Sequence, residues 1–267
     1  MNPEKICSLM EEAALDAGKF IIKESETFDV RKTEAKGLND FVSYVDKESE
    51  KMLISRLRKI LPEAGVIAEE GTFSLEGKKH TFIIDPLDGT TNFLHGLHPY
   101  AISIGLREHD EMIAGVVYEA SGQELFSAWK GGGSRLNGKK IHVSDTRNLS
   151  GSLVATGFPY DDFTRLGKYM RLLEQLLRST HGVRRLGSAA IDLAYVACGR
   201  FEVFYEYSLN PWDIAAGMLL VTEAGGKVSD FSGSTLGVTG EEIVATNGLV
   251  HNEMLSLIAG FMLNTRS

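Results

Sequence analysis

The apolar run Phe82-Ile83-Ile84 ends directly on Asp85-Pro86-Leu87-Asp88-Gly89-Thr90-Thr91. A strand built for burial therefore delivers two carboxylates, a turn glycine and two hydroxyls to its own end. Burying acids there is costly unless something positive compensates. Closely spaced carboxylates favour hard, oxygen-seeking cations such as magnesium. Pro86 fixes the backbone after Asp85, and Gly89 lets the chain pass close to an anion with no Cβ in the way. A helix beginning near Thr90 would turn its free N–H groups toward a phosphate. The segment predicts a metal and phosphate site. Gly131-Gly132-Gly133 does not, because no strand-to-helix context or Lys-Ser/Thr follows it.

At 267 residues, 43% hydrophobic and 24% charged, the chain is long enough for a large core and reads as one unit over residues 1–267. Its formal net charge of −8 offers no general attraction to anionic membranes and sets nucleic acid aside as a partner. An anionic ligand then needs a locally positive site, which a metal cluster would supply. Cys7 and Cys198 are the only cysteines, too few for a disulfide scaffold, and read as small buried apolar residues. The N-terminal helical pattern is interrupted by Glu11, Glu12 and Asp16, which neither a signal peptide nor a membrane span tolerates. The expected location is cytoplasmic.

Helical spacing marks Glu4–Lys23 and Asp46–Leu61, the second stopped by Pro62. Ala64–Ala68 and Thr81–Ile84 read as buried strands that run into acids. Tyr100–Leu106, Met112–Tyr118 and Glu124–Trp129 read as an antiparallel meander, with a hairpin turn at Asn137-Gly138. Helices are expected at 163–178, 188–198, 213–224 and 251–263, with 201–205 extended and 229–242 a surface loop. Sheets and helices would stack in layers, an α+β chain.

Four acidic features sit at element ends: Asp46, Glu69-Glu70, Asp85 with Asp88, and Asp213. Singly, each has an ordinary reading. Asp46 and Asp213 suit helix N-caps, Glu69-Glu70 a solvated loop and Asp88-Gly89 a turn. The coincidence of demands in 85–91 is what favours a site.

Asp85-Pro86-Leu87-Asp88-Gly89-Thr90-Thr91-Asn92-Phe93 resembles the signature of the inositol monophosphatase family, lithium-sensitive and magnesium-dependent phosphatases. Trp212-Asp213-Ile214-Ala215-Ala216-Gly217, followed by Glu223-Ala224-Gly225-Gly226, resembles its second signature. Blocks at 40–46, 68–71 and 187–190 are similar in the same order, so the likeness spans nearly the whole chain. The segments 156–159 and 209–212 are nearer the bacterial branch.

The resemblance implies a layered αβαβα sandwich of the sugar and inositol phosphatase type. It places one Mg²⁺ on Glu69, Asp85 and the Leu87 carbonyl and a second on Asp85, Asp88 and Asp213, with room for a third near Glu69. Asp46 and Thr90, with Glu69, would handle the attacking water. The resemblance places the phosphate against Gly89 and Thr90 and the alcohol portion against Gly187, Ser188, Ala189 and Glu206, and counts Leu87, Asp88 and Asp213 among the substrate-binding residues. The implied activity is hydrolysis of inositol 1-phosphate or a similar small polyol phosphate by a homodimer. Two metal ions suit phosphate monoesters, whose loose transition state calls for positioning and charge neutralisation. Relatives also use fructose 1,6-bisphosphate, a 3′-phosphonucleotide, NADP or histidinol phosphate, and a regulatory binding protein on the same fold is the alternative of another class. Gly71, where serine is common, and Ser208, where glycine is frequent, depart from the pattern and leave the ligands untouched. His95 and His98 are set aside as ligands because hard magnesium prefers oxygen, and Arg184-Arg185 and Lys36 read as solvated.

Overall fold

The computed structural model describes residues 2–28, 33–37, 40–71, 78–237 and 241–263, with only the backbone described at 33–37 and 40–42. The side chain of Lys36 thus lies outside the described residues. Two helices, α1 (Pro3–Ser25) and α2 (Tyr44–Ile60), pack on one another and on a seven-stranded sheet. Its strands in spatial order are β3 (Gly65–Ala68), β4 (His80–Asp88), β5 (Ala101–Glu108), β6 (Glu111–Glu119), β7 (Glu124–Trp129), β8 (Gly133–Leu136) and β9 (Lys139–Lys140). Ahead of them, β1 (Thr33–Gly37) and β2 (Asp40–Ser43) pair as a separate antiparallel ribbon. The predicted meander is present with its antiparallel register, and β3 is parallel to β4.

Both faces of the sheet are buried, and the side-chain period of two explains how. On β5 and β6, Ile102, Ile104, Leu106, Ala114, Val116 and Tyr118 face α1 and α2. Between those positions, Ala101 and Val117 join a second core with α5 (Ala189–Ala197) and α6 (Pro211–Glu223). Those two helices are roofed by a five-stranded sheet of order β11-β10-β12-β14-β13. Its strands are β10 (Leu153–Thr156), β11 (Gly182–Arg184), β12 (Val203–Tyr207), β13 (Lys227–Ser229) and β14 (Glu242–Thr246). Outside it, α4 (Leu166–Ser179), α7 (His251–Ile258) and a π-helical turn at Ala259–Leu263 close a third core around Val203, Tyr205, Tyr207 and Val244. The layers therefore run helix, sheet, helix, sheet, helix, as the resemblance implied. The short helix α3 (Thr90–Leu94) lies at the end of β4.

Strands β10, β11, β13 and β14 were not read from the sequence. They are three to five residues long, too short for an alternation to show; β10 and β14 are buried almost throughout, and β11 and β13 at the sheet edges are only partly so. The expected loop at 229–242 contains the start of β14, and residues 238–240 lie outside the described ones. Cys7 is fully buried, with Sγ 3.4 Å from the Ala128 carbonyl, whereas Cys198 is only half-buried, and both are free thiols. Among the described residues no helix is long and apolar enough to cross a membrane.

His251 locks the outer layer to the sheet. Buried, it sets Nε2 3.0 Å from Ser229 Oγ and Nδ1 3.0 Å from Thr246 Oγ1. Burial first, then the Lys227 charge, lowers its pKa to about 4. Above pH 6.5 the ring is neutral folded or unfolded. Below that, the unfolded chain takes up a proton that the fold refuses, so stability falls as pH drops from about 6.5 to 4, by up to about 3 kcal/mol. In urea titrations the wild type should lose more stability than His251→Asn between pH 7 and pH 4.5. Equal losses would show that the imidazole does not set this dependence.

Candidate functional site

Strand β4 stays buried through Leu87, and its pairing with β5 shifts register between Asp85 and Asp88. The irregularity frees the backbone to turn both carboxylates out of the ladder. Asp85 Oδ1 accepts the Leu87 N–H at 2.9 Å, Asp88 Oδ2 accepts the Ser188 hydroxyl and the Ala190 N–H at 2.7 Å each, and Asp213 Oδ2 accepts the Asn210 N–H at 2.6 Å. One oxygen of each aspartate is thus pinned to backbone, while the side chains line a common cavity. Asp213 stands in the first turn of α6 and reaches back to the residue before it. It is not the N-cap itself; Asn210 is.

Asp46 plays the same local part in α2. Its Oδ2 accepts the Ser43 N–H at 2.8 Å and the Ser43 hydroxyl at 2.6 Å, a capping box in which Ser43 is the cap. The other oxygen, Oδ1, lies 2.9 Å from Thr90 Oγ1, which is also 2.9 Å from the Leu87 carbonyl. Fully buried, Asp46 has its carboxyl pKa raised by desolvation, with the Ser43 and Thr90 bonds working against that rise. The pair joins the start of α2 to the start of α3.

Gly89 caps α3 with φ 91°, where a Cβ would come 3.1 Å from the Pro99 carbonyl and 3.3 Å from that of Gly187. Glycine is required there by conformation and by space. Asn92, not singled out from the sequence, donates at 2.8 Å to both the Pro99 and Leu186 carbonyls and so ties α3 to the approach to α5.

These elements surround a cavity of about 860 Å³. Of the expected site residues, Glu69, Asp85, Leu87, Asp88, Gly89, Thr90, Gly187, Ser188, Ala189, Glu206 and Asp213 line it, and Asp46 stands behind Thr90. His95 and His98 are exposed and lie away from it. Tyr160 and Trp212 are also in the wall, and so is Asp192, which the sequence reading missed. That reading has Arg184-Arg185 as a solvated or ion-paired surface pair, and both are exposed; Arg185 also stands at the rim of the cavity, where it donates to Tyr160 Oη at 3.2 Å.

The acids strain against one another. Asp85 is held well above the ordinary carboxylate range, by burial first and then by Glu69, Asp88 and Asp213. Burial and the Asp88 charge raise Asp213 in the same way, and burial lifts Asp88 to about 6. Uncompensated negative charge on oxygen-only donors fits a hard divalent cation. Among the described residues, however, no three or more histidine, cysteine, aspartate or glutamate side chains are arranged to hold a metal ion. The donor chemistry therefore fits magnesium, whereas the expected closure of these acids around two or three ions is not present in this arrangement.

The inositol monophosphatase family model matches residues 2–261. The Nus factor SuhB of Pseudomonas aeruginosa is 42% identical over 251 residues, covering 92% of this chain and 93% of that protein. The inositol-1-monophosphatase of Mesorhizobium japonicum is 37% identical, covering 97% of each. Among solved structures, the extragenic suppressor protein suhB from Bartonella henselae superposes with a TM-score of 0.89 at 38% identity, covering 94% of this chain and 97% of that one.

Relatives named Nus factors overturn one expectation, because such names tie those proteins to nucleic acid. Net charge had set nucleic acid aside as a partner. Whole-chain charge is a sum and does not fix the sign of a patch.

Proposed function

This chain belongs to the inositol monophosphatase family, and from that premise we propose that it hydrolyses inositol 1-phosphate or a similar small polyol phosphate with Mg²⁺, sensitive to Li⁺. The observation that carries the proposal is the group of acids on one cavity wall, Asp85 buried and Glu69, Asp88 and Asp213 half-buried, beside Gly89 and Thr90. Glu69, Asp85, the Leu87 carbonyl, Asp88 and Asp213 would hold the magnesium. The bound cations would neutralise phosphate oxygens and acidify water.

The protein's own groups do the positioning. Backbone anchors hold one oxygen of each aspartate, so the other is presented with no reorganisation at the moment of reaction. Thr90 Oγ1, shared between Asp46 and the Leu87 carbonyl, is placed to orient the attacking water, and Asp46 to receive a proton through it. Gly89 gives the phosphate access to backbone N–H groups. Ser208 holds φ 65°, a left-handed value favouring glycine, and its hydroxyl donates to Asp161 at 2.7 Å, fixing the rim where the alcohol portion leaves.

A panel of phosphate esters should show phosphate release that requires Mg²⁺, stops with chelator and falls with added Li⁺. Inositol 1-phosphate should rank at or near the top by kcat/KM, against fructose 1,6-bisphosphate, a 3′-phosphonucleotide, NADP and histidinol phosphate. Release that is indifferent to chelator would sink the metal assignment.

A second reading rests on the Nus factor relatives: the fold acts as a regulatory protein docking to a partner macromolecule. Stoichiometric recovery of a partner, with negligible turnover on every ester, would favour it.

A further inference from the structure

Helix α2 opens on the polar run Asp46-Lys47-Glu48-Ser49-Glu50, yet Asp46, Ser49 and Glu50 are fully buried. At i, i+3 and i+4 they share the inward face that continues with Leu53 and Leu57. Each reaches a different segment of the site. Asp46 Oδ1 lies 2.9 Å from Thr90 Oγ1 at the start of α3, the Ser49 hydroxyl donates at 3.2 Å to the Pro86 carbonyl in β4, and Glu50 Oε2 accepts the Glu70 N–H at 2.8 Å just beyond β3. Only the first of these contacts has a part in the chemistry described above.

Glu50 acts where the sheet stops holding the chain. Strand β3 lies at the sheet edge, and its last bond to β4 runs from the Glu69 N–H to the Ile84 carbonyl at 3.2 Å. There the chain turns, with the Gly71 N–H returning to the Ala68 carbonyl at 3.2 Å, which makes Glu69 and Glu70 the central residues of a β-turn. That bond closes the ends of the turn and does not fix the peptide between its central pair. Glu50 holds this peptide from the helix side. Its rotation would swing the side chain of Glu69, which lines the cavity with Asp85. Glu50 itself is not part of the cavity wall. An apolar residue would pack this face of α2 without giving up the hydration of an acid.

We propose that Glu50 is a positioning residue for the metal end of the cavity: by holding the peptide between Glu69 and Glu70 it fixes the direction in which Glu69 is presented, and so raises affinity for the divalent cation while touching neither metal nor substrate. The inference rests on the phosphatase reading, which gives Glu69 its place among the metal ligands. A ligand carried on a turn binds only while the turn aims it inward, and a hydrogen bond that selects this orientation removes that cost before the cation arrives. Once bound, the cation itself holds the carboxylate. Loss of the Glu50 bond therefore acts on metal affinity far more than on turnover of the loaded protein.

Glu50→Met keeps the volume without a comparable acceptor, and Glu50→Gln keeps a carbonyl oxygen for the Glu70 N–H. Mn²⁺ is the probe, titrated by calorimetry into the full chain with no ester present. Glu50→Met should raise the Kd for Mn²⁺ by about tenfold or more, whereas Glu50→Gln should stay within about threefold of the wild type. In phosphate release, the Mg²⁺ concentration for half-maximal rate should rise in Glu50→Met by the same factor, with kcat at saturating Mg²⁺ within about threefold of the wild type. Wild-type affinity in Glu50→Met, or an equal loss in Glu50→Gln, overturns the proposal. So does failure of both Glu50→Met and Glu50→Leu to fold, which would make the bond a requirement of the fold. If the wild type binds Mn²⁺ and releases no phosphate, the phosphatase reading fails while the Mn²⁺ comparison still decides the role of Glu50. A wild type that binds no Mn²⁺ overturns both.

Discussion

Asp85→Asn is expected to lower kcat/KM for phosphate release by about 10³-fold and, at neutral pH, to raise the melting temperature of the metal-free protein. The two effects have opposite sign because the carboxylate serves ligand binding against the interest of the fold. Asp85 is 2% exposed, and its Oδ1 receives the Leu87 N–H at 2.9 Å, a bond that an asparagine carbonyl keeps. What asparagine removes is a buried charge set against Glu69, Asp88 and Asp213. Neutralising such a charge with an isosteric group relieves desolvation and repulsion together. Each kcal/mol gained appears as about 2–4 °C in a protein of this size. Calorimetry in chelator and phosphate release in Mg²⁺ measure the two halves. A variant that loses stability along with activity would make Asp85 a structural residue, and one that keeps full turnover would remove it from the ligand set.

The same opposition explains which parts of the site could be read in advance. Asp85, Asp88 and Gly89 stand out because two acids and a glycine at the end of an apolar strand contradict the burial of that strand, and such contradiction is where function shows in sequence. Asp213 and Asp46 are half-hidden. Each forms a helix-start hydrogen bond indistinguishable in sequence from ordinary capping, and only the fold reveals that their free oxygens turn to the cavity or to Thr90. Arg184 and Arg185 were legible as exposed, but the position of Arg185 at the cavity rim beside the bare backbone of Gly187 was not. Asp192 did carry a signal, a single acid in the run Ala189-Ala190-Ile191-Asp192-Leu193-Ala194. The second sheet gave almost none, since strands of three to five residues are too short to show a period, whether buried like β10 and β14 or at the edge like β11.

Gly115→Val is expected to cost about 3 kcal/mol or more of stability and to lower kcat by about 100-fold, although Gly115 touches no part of the cavity. In the β5–β6 register Gly105 pairs with Gly115, and together they leave a smooth place on the sheet. Helix α6 sits directly on it. A Cβ at Gly115 would lie 2.8 Å from the Ala216 carbonyl and 3.1 Å from Ala216 Cα, and one at Gly105 would lie 2.9 Å from Ala215 Cβ. At Gly115 those first obstacles are helix backbone, which has no rotamer to yield. Retreat is also blocked, because Gly217 on the same helix already meets Leu193 of α5, 2.5 Å from where its Cβ would be. The helix must therefore tilt or slide, and Asp213, in its first turn, moves with it. A displacement of about 1 Å at a positioned group is enough for the stated loss in rate. Gly167→Ala is the control: nothing lies within 4 Å of its added Cβ, and it should be neutral or stabilise by up to about 1 kcal/mol. Denaturant midpoints and single-turnover rates on the two variants check the argument. If Gly115→Val is destabilised but turns over at the wild-type rate, the sheet contact does not fix the position of Asp213, and the metal end of the cavity must be held in register by its own hydrogen bonds alone.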